Sequence, residues 1–418
     1  MSSLLQPTSK KERIVELDIL RGFALLGILL VNMAYFNSPV VYSHLIGLEL
    51  WAGWADSIVE RLVFFLAEGK FYTMFSFLFG LGFIIFMERA KEKVKRPRLL
   101  FLRRLSALLI FGLIHAFFFW FGDILTIYAL FGLLLLFFVY RKPRTLLVWT
   151  GIMVFLYFIL IFFQLLGAWV TTQELNPVVV EQEALFNAEM MALVEQSYLF
   201  YGQGTWSEVM AQRVHDTLFV FSYMIFALPI ILPMFLLGAY VGKKGWHRDL
   251  SSALPILRKI WLFSLLVGLP LTVLKTYAFF QPEMSTYSFY YGLYMVGMIL
   301  GDPLMSFFYM ISVVLLLQKS FWRERLEFLR PVGQMALSNY LLQTLIATTL
   351  FYSYGLGLYG QVGPVWNLVL TFVIFSVQVY VSRYWLSRYS FGPMERLWRM
   401  MTYGRIAGKE RLTKSGSV

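Results

Sequence analysis

Residues 17–36 of the 418-residue chain read LDILRGFALLGILLVNMAYF, a run of twenty residues in which only Asp18 and Arg21 are charged. About twenty apolar residues form a helix long enough to cross the ~30 Å hydrocarbon core of a bilayer. The rest of the chain has a similar composition, with 59% hydrophobic, 18% aromatic and 14% charged residues. A water-soluble globular chain is about one quarter charged. The sequence therefore predicts an all-α integral membrane protein.

Apolar runs of similar length recur along the chain and predict about ten transmembrane helices. Helices suit the bilayer core because they satisfy their own backbone hydrogen bonds. The run at 288–318 is too long for one span, and we expect an interruption at Gly301, Asp302 and Pro303, with 288–297 at the outer surface. The predicted spans are residues 17–37, 69–88, 100–121, 124–140, 145–168, 217–242, 256–279, 298–318, 333–352 and 364–386.

The basic residues predict the orientation of these helices. Of the 36 lysines and arginines, 31 fall in segments that share one side of the membrane if the ten spans are right. Because Lys and Arg accumulate on the cytoplasmic side, we expect both termini to be cytoplasmic. The anionic lipids of that leaflet account for the net charge of +12 without a nucleic-acid partner. The chain has no cysteine, which excludes disulfides, thiolate catalysis and cysteine-bound metals.

One long segment, residues 169–216, is predicted to lie outside the membrane. It carries seven acidic residues, and Arg213 is its only Lys or Arg. We expect one or two surface helices in it, which either cap a site or simply connect two spans. The segment divides the chain into an N-terminal five-helix half, residues 1–168, and a C-terminal five-helix half, residues 217–418.

Polar residues of the first span suggest one wall of a site, because ionisable groups at membrane depth are costly. Asp18 and Arg21 are three residues apart on one helical face and can form an ion pair. Asn32 follows Arg21 by eleven residues, on the same face and ~16 Å further along the helix. These three polar residues form either the wall of a buried cleft or an ion pair at the membrane edge together with an amide that packs between helices.

His115 is the histidine that we place inside a span, eleven residues after Arg104 and at about the depth of Asn32. A histidine titrates near neutral pH and can act as a general base or a proton carrier. Asp123 would either orient the ring or cap the next helix. The alternative is a plain interhelical hydrogen bond. His44, in the outer loop after the first span, is the second candidate base.

Four further polar residues are candidate substrate-binding groups. Lys70 begins the second span on the outer side, and Asp302 lies in the outer half of the eighth. Asn339 and Gln343 share one face of the ninth span, although amides at this spacing also hold helices together. The sequence contains no zinc-binding motif, and we expect no metal.

Five stretches of sequence carry a family resemblance. They are Arg13–Asn32, Lys70–Gly80, Gly112–His115 with Gly122–Leu125, Gly333–Thr344, and Gly392–Arg399 with Thr402–Gly404. In this order, and over nearly the whole chain, they resemble the YeiB-like family of bacterial membrane proteins, whose C-terminal half carries a domain of unknown function. Arg396 departs from the pattern, because the family usually has Glu-Trp-Leu-Trp there. The resemblance implies a multi-pass protein of the bacterial cell membrane.

The first span also resembles that of a wider group of transmembrane acyltransferases, the heparan-glucosaminide acetyltransferases and the enzymes that acylate bacterial surface sugars. In the sugar-modifying enzymes, the arginine that matches Arg21 is followed eleven residues later by a catalytic histidine. Here that position is Asn32, as in the heparan-type enzymes, which take a histidine from farther along the chain. The resemblance thus implies that the base comes from elsewhere, and His115 is the best-placed candidate.

These residues support three hypotheses about function. As a membrane acyltransferase, the protein would bind a cytoplasmic acyl-CoA-like donor at its basic inner loops. His115 would then deprotonate an acceptor at the outer face, and Asn32 would donate to the developing oxyanion. As a transporter, it would use the same buried polar residues to pass a small solute. The third hypothesis is a scaffold or sensor. Membrane lipids are expected partners; the acyl chain, the acceptor and a homo-oligomeric state stay open.

Overall fold

The computed structural model describes residues 14–173, 177–282, 284 and 288–404, and these residues contain helices but no strands. The predicted cytoplasmic ends, residues 1–13 and 405–418, lie outside the described part. Helices of the first half are α1 (Val15–Asn37), α2 (Val40–Ser43), α3 (Trp54–Leu66), α4 (Lys70–Lys93), α5 (Pro97–Phe118), α6 (Leu125–Gly132, continued as a 3₁₀ helix over Leu133–Phe137), α7 (Pro143–Gln173), α8 (Pro177–Gln203) and α9 (Trp206–Ser222).

The second half continues the helical architecture, with short connections between its long helices. Its helices are α10 (Met224–Lys244), α11 (Leu250–Phe279), α12 (Phe289–Val296), a π-helical turn (Gly297–Gly301), α13 (Asp302–Leu316), α14 (Ser320–Leu326), α15 (Leu329–Gln334), α16 (Ala336–Phe351), α17 (Pro364–Arg388) and α18 (Pro393–Tyr403).

Eight helical stretches of the described chain are long and apolar enough to cross a membrane. They correspond to eight of the ten predicted spans, and the other two are shorter: Leu125–Phe137 and the 16-residue helix α16. The stretch Trp54–Lys93 also contains α3, which the sequence division missed. The chain is therefore an all-α, multi-pass integral membrane protein.

The segments predicted to be cytoplasmic meet at one end of the helix bundle, called the inner end below. Glu16, at the start of α1, pairs with Arg323 of α14 at 2.9 Å. Trp398 of α18 donates its indole N–H to the carbonyl of Arg104 in α5, also at 2.9 Å. Ile14 and Tyr403, at the two ends of the described chain, both line one cavity, so these ends lie on the same side of the bundle.

Glycines let the principal helices pack closely. A Cβ on Gly333 in α15 would collide with the carbonyl of Asp18 in α1, and a Cβ on Gly80 in α4 would collide with the carbonyl of Phe235 in α10. Small residues allow such close approach in membrane bundles, where helices cannot rely on the hydrophobic effect to associate. Each contact joins one helix from the first half of the chain to one from the second half.

The helix does not end at residues 301–303, where we expected an interruption. Helix continues from Phe289 to Leu316, and the irregularity is the π turn Gly297–Gly301, followed directly by Asp302 and Pro303. The expectation was wrong because the π turn is wider than a regular α-helical turn. Proline lacks an N–H and would clash with a carbonyl in a regular turn, and the wider turn lets the helix continue past Pro303. Residues 289–297 are accordingly the first turns of this continuous helix.

The segment predicted to lie outside holds two helices, α8 and α9. The second begins with a capping box, in which Thr205 and Glu208 satisfy each other's backbone and side-chain groups. Arg213 of α9 is fully buried and donates to the carbonyl of Phe118, while Thr217 donates to the carbonyl of Ala116. Helix α9 therefore caps the outer end of α5, the helix that carries His115.

Candidate functional site

The ion pair predicted at the start of α1 is confirmed. Arg21 Nη1 lies 3.1 Å from Asp18 Oδ1, and Gln334 of α15 donates to the other oxygen of Asp18 at 3.2 Å. The Asp18 side chain is 6% exposed and that of Arg21 is 33% exposed. The carboxylate is therefore anchored from two helices, while the guanidinium keeps part of its surface free.

Arg21 and Asp18 line an inner cavity of about 390 Å³. Near the inner end this cavity is bordered by five basic side chains, against the two carboxylates of Asp18 and Glu395. Arg104 stacks its guanidinium on the Trp398 ring, 3.7 Å from the ring centroid, which holds the charge at the cavity wall. The basic residues are Arg21, Arg89, Lys93, Arg104 and Arg399.

The deeper part of the inner cavity is mostly apolar and ends beside His115. Tyr340 of α16 lines the cavity, and its ring packs on the His115 imidazole with centroids 5.1 Å apart. A molecule in the cavity would thus be separated from His115 by one aromatic ring. The apolar and aromatic walls include Leu25, Ile28, Phe75, Leu78, Phe79, Leu108, Ile124, Leu125 and Tyr128.

His115 and Asp123 come together with a third residue, Thr344 of α16. His115 Nδ1 lies 2.9 Å from Asp123 Oδ1, and Nε2 lies 2.9 Å from the Thr344 hydroxyl. All three side chains are at least 98% buried. The other Asp123 oxygen accepts the backbone N–H of Thr126 at 2.7 Å. Asp123 therefore does both things the sequence suggested: it orients the ring and it caps the next helix.

The local fold of this site depends on one glycine. A Cβ on Gly112 would collide with the backbone nitrogen of Thr126. The turn that carries Asp123 can therefore approach α5 this closely only because residue 112 has no side chain. Trp120 makes an edge-type contact with the imidazole, with centroids 6.3 Å apart. The ring is thus fixed by two hydrogen bonds and two aromatic contacts.

Lys70 and Asp302 also meet, in a second buried cluster that includes Lys275 of α11. Asp302 Oδ2 accepts a hydrogen bond from Lys275 Nζ at 2.6 Å, and Asp302 Oδ1 lies 2.9 Å from Lys70 Nζ as an ion pair. The three side chains are 0–1% exposed. Both ammonium groups also donate to the carbonyl of Glu68, at 2.8 and 3.1 Å. Two ammonium groups thus share one carboxylate, and the substrate-binding role of Lys70 and Asp302 stays a prediction.

Asn339 and Gln343 form hydrogen bonds between helices. Asn339 Nδ2 donates to the Ser382 hydroxyl of α17 at 2.9 Å, and Gln343 Nε2 donates to Gln378 Oε1 at 2.9 Å. Gln378 returns a bond to the carbonyl of Asn339 at 2.9 Å. These contacts match the packing alternative for the two amides. Gln343 directly precedes Thr344, so the network helps to fix the position of that hydroxyl.

Asn32 and His44 lie apart from the His115 hydrogen bonds. Asn32 is half-buried on the α1 face that carries the cavity residues Arg21 and Ile28, one turn beyond the latter. His44 lines a separate cavity of about 60 Å³ and packs on Phe279. Burial lowers the pKa of His44 to about 4. The structure thus brings together His115 and Asp123, but neither Asn32 nor His44 is a hydrogen-bond partner of that pair.

The sequence missed Thr344, Tyr340 and Lys275. Thr344 is 229 residues from His115, and no local spacing connects them. Lys275 was not singled out, although an ionisable residue within an apolar run is itself a signal. Among the residues that the structure describes, no group of three His, Asp or Glu side chains is placed to hold a metal ion.

Comparison with known proteins gives a family. A model described as "Protein of unknown function (DUF418)" matches residues 241–405. The uncharacterized protein YxaH of Bacillus subtilis is 37% identical, over 96% of this chain and 97% of that protein. An uncharacterized 39.9 kDa protein of Bacillus acidopullulyticus is 33% identical over 96% and 97%, and the uncharacterized protein YeiB of Escherichia coli is 29% identical over 95% and 98%. No solved structure matches. The chain therefore belongs to the YeiB-like family of proteins of unknown function.

Proposed function

We propose that the protein is an acyltransferase of the bacterial cell membrane, which moves an acyl group from a cytoplasmic acyl thioester, such as an acyl-CoA, to an acceptor at the outer face. One observation carries the proposal: the inner cavity has a basic entrance, apolar walls and a lining residue, Tyr340, that packs on the buried Asp–His pair. Phosphorylated acyl donors have the complementary shape, with an anionic head and an apolar tail. Arginines are suited to phosphate binding because their charge-assisted hydrogen bonds are strong and often bidentate.

Histidine is the proposed general base. With Nδ1 hydrogen-bonded to Asp123, the imidazole is held in one orientation and Nε2 is directed to a hydroxyl. Removing a general base typically lowers turnover by about 10²–10⁴-fold. The proposal requires the Tyr340 ring to move aside, because this ring lies between the cavity and the imidazole.

Donor binding is the first test. We would titrate the purified full chain in detergent with acetyl-CoA and octanoyl-CoA and follow its melting temperature. Both ligands should raise the melting temperature, and Arg104→Gln should weaken the effect because Arg104 lies at the cavity entrance. Arg388→Gln is the matched control, since Arg388 is an exposed arginine at the end of α17. Equal shifts for both variants and the wild type would contradict donor binding in this cavity.

Turnover is the second test. Consumption of a radiolabelled acyl-CoA by wild type and His115→Gln should differ by two orders of magnitude or more. A melt of each protein would separate lost chemistry from lost folding. Equal turnover would dismiss His115 as the base and make His44 the next candidate.

Transport of a small solute is the second candidate function, and one observation favours it: Lys70, Asp302 and Lys275 form a buried charged cluster. Ionisable groups inside membrane spans often line substrate or proton pathways. Solute uptake into vesicles that is lost in His115→Gln, together with no turnover of any acyl donor, would favour transport.

A further inference from the structure

The Thr344 hydroxyl has an unusual orientation for a threonine in a helix. Helical threonines commonly donate to the carbonyl four residues earlier, as Thr349 does to Leu345 at 2.7 Å and Thr371 does to Asn367 at 2.8 Å. Thr344 instead places its hydroxyl 2.9 Å from His115 Nε2, on another helix. Its side chain is fully buried, so the hydroxyl is held at the imidazole.

The chemistry of the three side chains indicates which atoms donate and which accept hydrogen bonds. A carboxylate only accepts, so Nδ1 of His115 donates its hydrogen to Asp123. In a neutral ring with this tautomer, Nε2 would carry the lone pair and accept the Thr344 hydroxyl hydrogen. A carboxylate, an imidazole and a hydroxyl in this order form the arrangement that activates an alcohol nucleophile in many unrelated folds, where it is recognised by geometry rather than by sequence position.

Thr344 lies one helical turn beyond Tyr340, a residue that lines the inner cavity. Leu337 and Tyr340 both line the cavity, and Thr344 follows at the next positions of the same α16 face. The step from Tyr340 to Thr344 is four residues, or about 6 Å along the helix axis. A donor that fills the cavity would therefore bring its acyl carbon within about one helical turn of this hydroxyl, once Tyr340 moves aside.

We propose that Thr344 is the acyl carrier of the protein, a nucleophile that holds the acyl group as a threonine ester between donor and acceptor. The inference rests on the proposed acyltransferase function and extends it to a two-step reaction. A covalent carrier within the membrane suits this function because the donor and the acceptor are expected on opposite sides and need not be bound together.

Both steps balance. In the first, Thr344 Oγ1 forms a bond to the acyl carbon, the C–S bond of the thioester breaks, and the hydroxyl proton passes through His115 Nε2 to the leaving thiolate. In the second, an acceptor hydroxyl or amine forms a bond to the same carbon, the Oγ1–carbon bond breaks, and the acceptor proton passes through His115 to Oγ1. Asp123 stabilises the imidazolium in each step.

The experiment traps the ester. Purified full-length protein is incubated with [1-¹⁴C]octanoyl-CoA and [1-¹⁴C]acetyl-CoA without acceptor, denatured, and analysed for covalent label and by peptide mass spectrometry. Wild type and Thr344→Ser should retain alkali-labile label on residue 344. Thr344→Val should lose the label and at least about 100-fold of the turnover. Thr371→Val is the matched control, because Thr371 is a fully buried helical threonine on α17 that bonds a backbone carbonyl.

The outcomes distinguish the hypothesis that Thr344 carries the acyl group from the hypothesis that the protein is an acyltransferase. Donor turnover by wild type without label, label mapped to another residue, or full turnover by a Thr344→Val protein that melts like Thr371→Val would overturn the carrier and leave the acyltransferase standing. Absence of turnover and of label with both thioesters would overturn the carrier and count equally against acyl transfer itself.

Discussion

Replacing Asp302 tests how strongly the buried Lys70–Asp302–Lys275 cluster stabilises the fold. The carboxylate serves two ammonium groups, at 2.9 and 2.6 Å, with all three side chains 0–1% exposed. At an effective dielectric constant of about 20, Coulomb's law gives about 6 kcal/mol for each contact before desolvation is subtracted. Removing one partner of a buried pair typically costs about 3–5 kcal/mol, because the remaining charge is left unpaired.

Asp302→Asn leaves two ammonium groups without their carboxylate, so we expect a loss at or above the upper end of that range. Lys70→Met and Lys275→Met each leave one balanced pair and should cost less. Glu327→Gln, which removes the carboxylate of an exposed ion pair with Arg330, should cost less than about 1 kcal/mol. Domains are stable by only about 5–15 kcal/mol, so Asp302→Asn should also reduce folded yield.

The assay is the free energy of unfolding from SDS titration in mixed micelles, followed by tryptophan fluorescence. The expected order of destabilisation is Asp302→Asn first, the two lysine variants next and Glu327→Gln last. The reasoning fails if Asp302→Asn is no more destabilising than either lysine variant. Such a result would mean that the lysines are neutral in the folded protein, so that no charge is left unpaired when the carboxylate is removed.

Three further predictions follow from charge, burial and topology. Because the chain has no cysteine, Glu183→Cys gives a single thiol, which a membrane-impermeant maleimide should label from outside the cell; labelling only from the cytoplasmic side would invert the predicted orientation. Asp18→Asn should lower the unfolding free energy by about 1 kcal/mol, discounted because Arg21 is one-third exposed, and Asp18→Asn with Arg21→Gln should recover part of it in a double-mutant cycle. The pKa of His44 is lowered to about 4 in the folded protein, so the unfolded chain binds a proton at a higher pH than the folded chain does. Stability should therefore be lost as the pH falls from about 6.5 to 4, and His44→Gln should flatten that part of the plot of melting temperature against pH.

Local features of the site could be predicted because the sequence encodes them over one or two helical turns. Asp18 and Arg21 pair as their three-residue spacing indicates, and Asp123 returns to His115 across a tight turn only eight residues later. Helical periodicity and the cost of a buried charge are sufficient for these inferences. The same reasoning identified Lys70 and Asp302 separately, as two isolated polar residues in apolar runs.

Contacts between distant segments could not be predicted, because they depend on which helices become neighbours. Asp302 meets Lys275 where α11 packs against the π turn, and a Cβ on Gly297 would collide with the Lys275 side chain. From the sequence we expected this glycine in the stretch 288–297 at the outer surface, whereas in the structure it makes room for a lysine on another helix. Thr344 similarly became a candidate only when α16 was found beside α5, since a single threonine in an apolar run carries no signal of its own.

The candidate site draws on both halves of the chain, which bears on how the family should be studied. The family model covers residues 241–405, which contain Tyr340, Thr344 and one cavity arginine, Arg399. His115, Asp123 and the remaining basic residues of the cavity lie before that region. A C-terminal fragment would therefore hold the Thr344 hydroxyl without the imidazole to which it is hydrogen-bonded. The relatives match over at least 95% of this chain, so the whole chain, rather than the matched region, is the unit in which any chemistry of this site has to be sought.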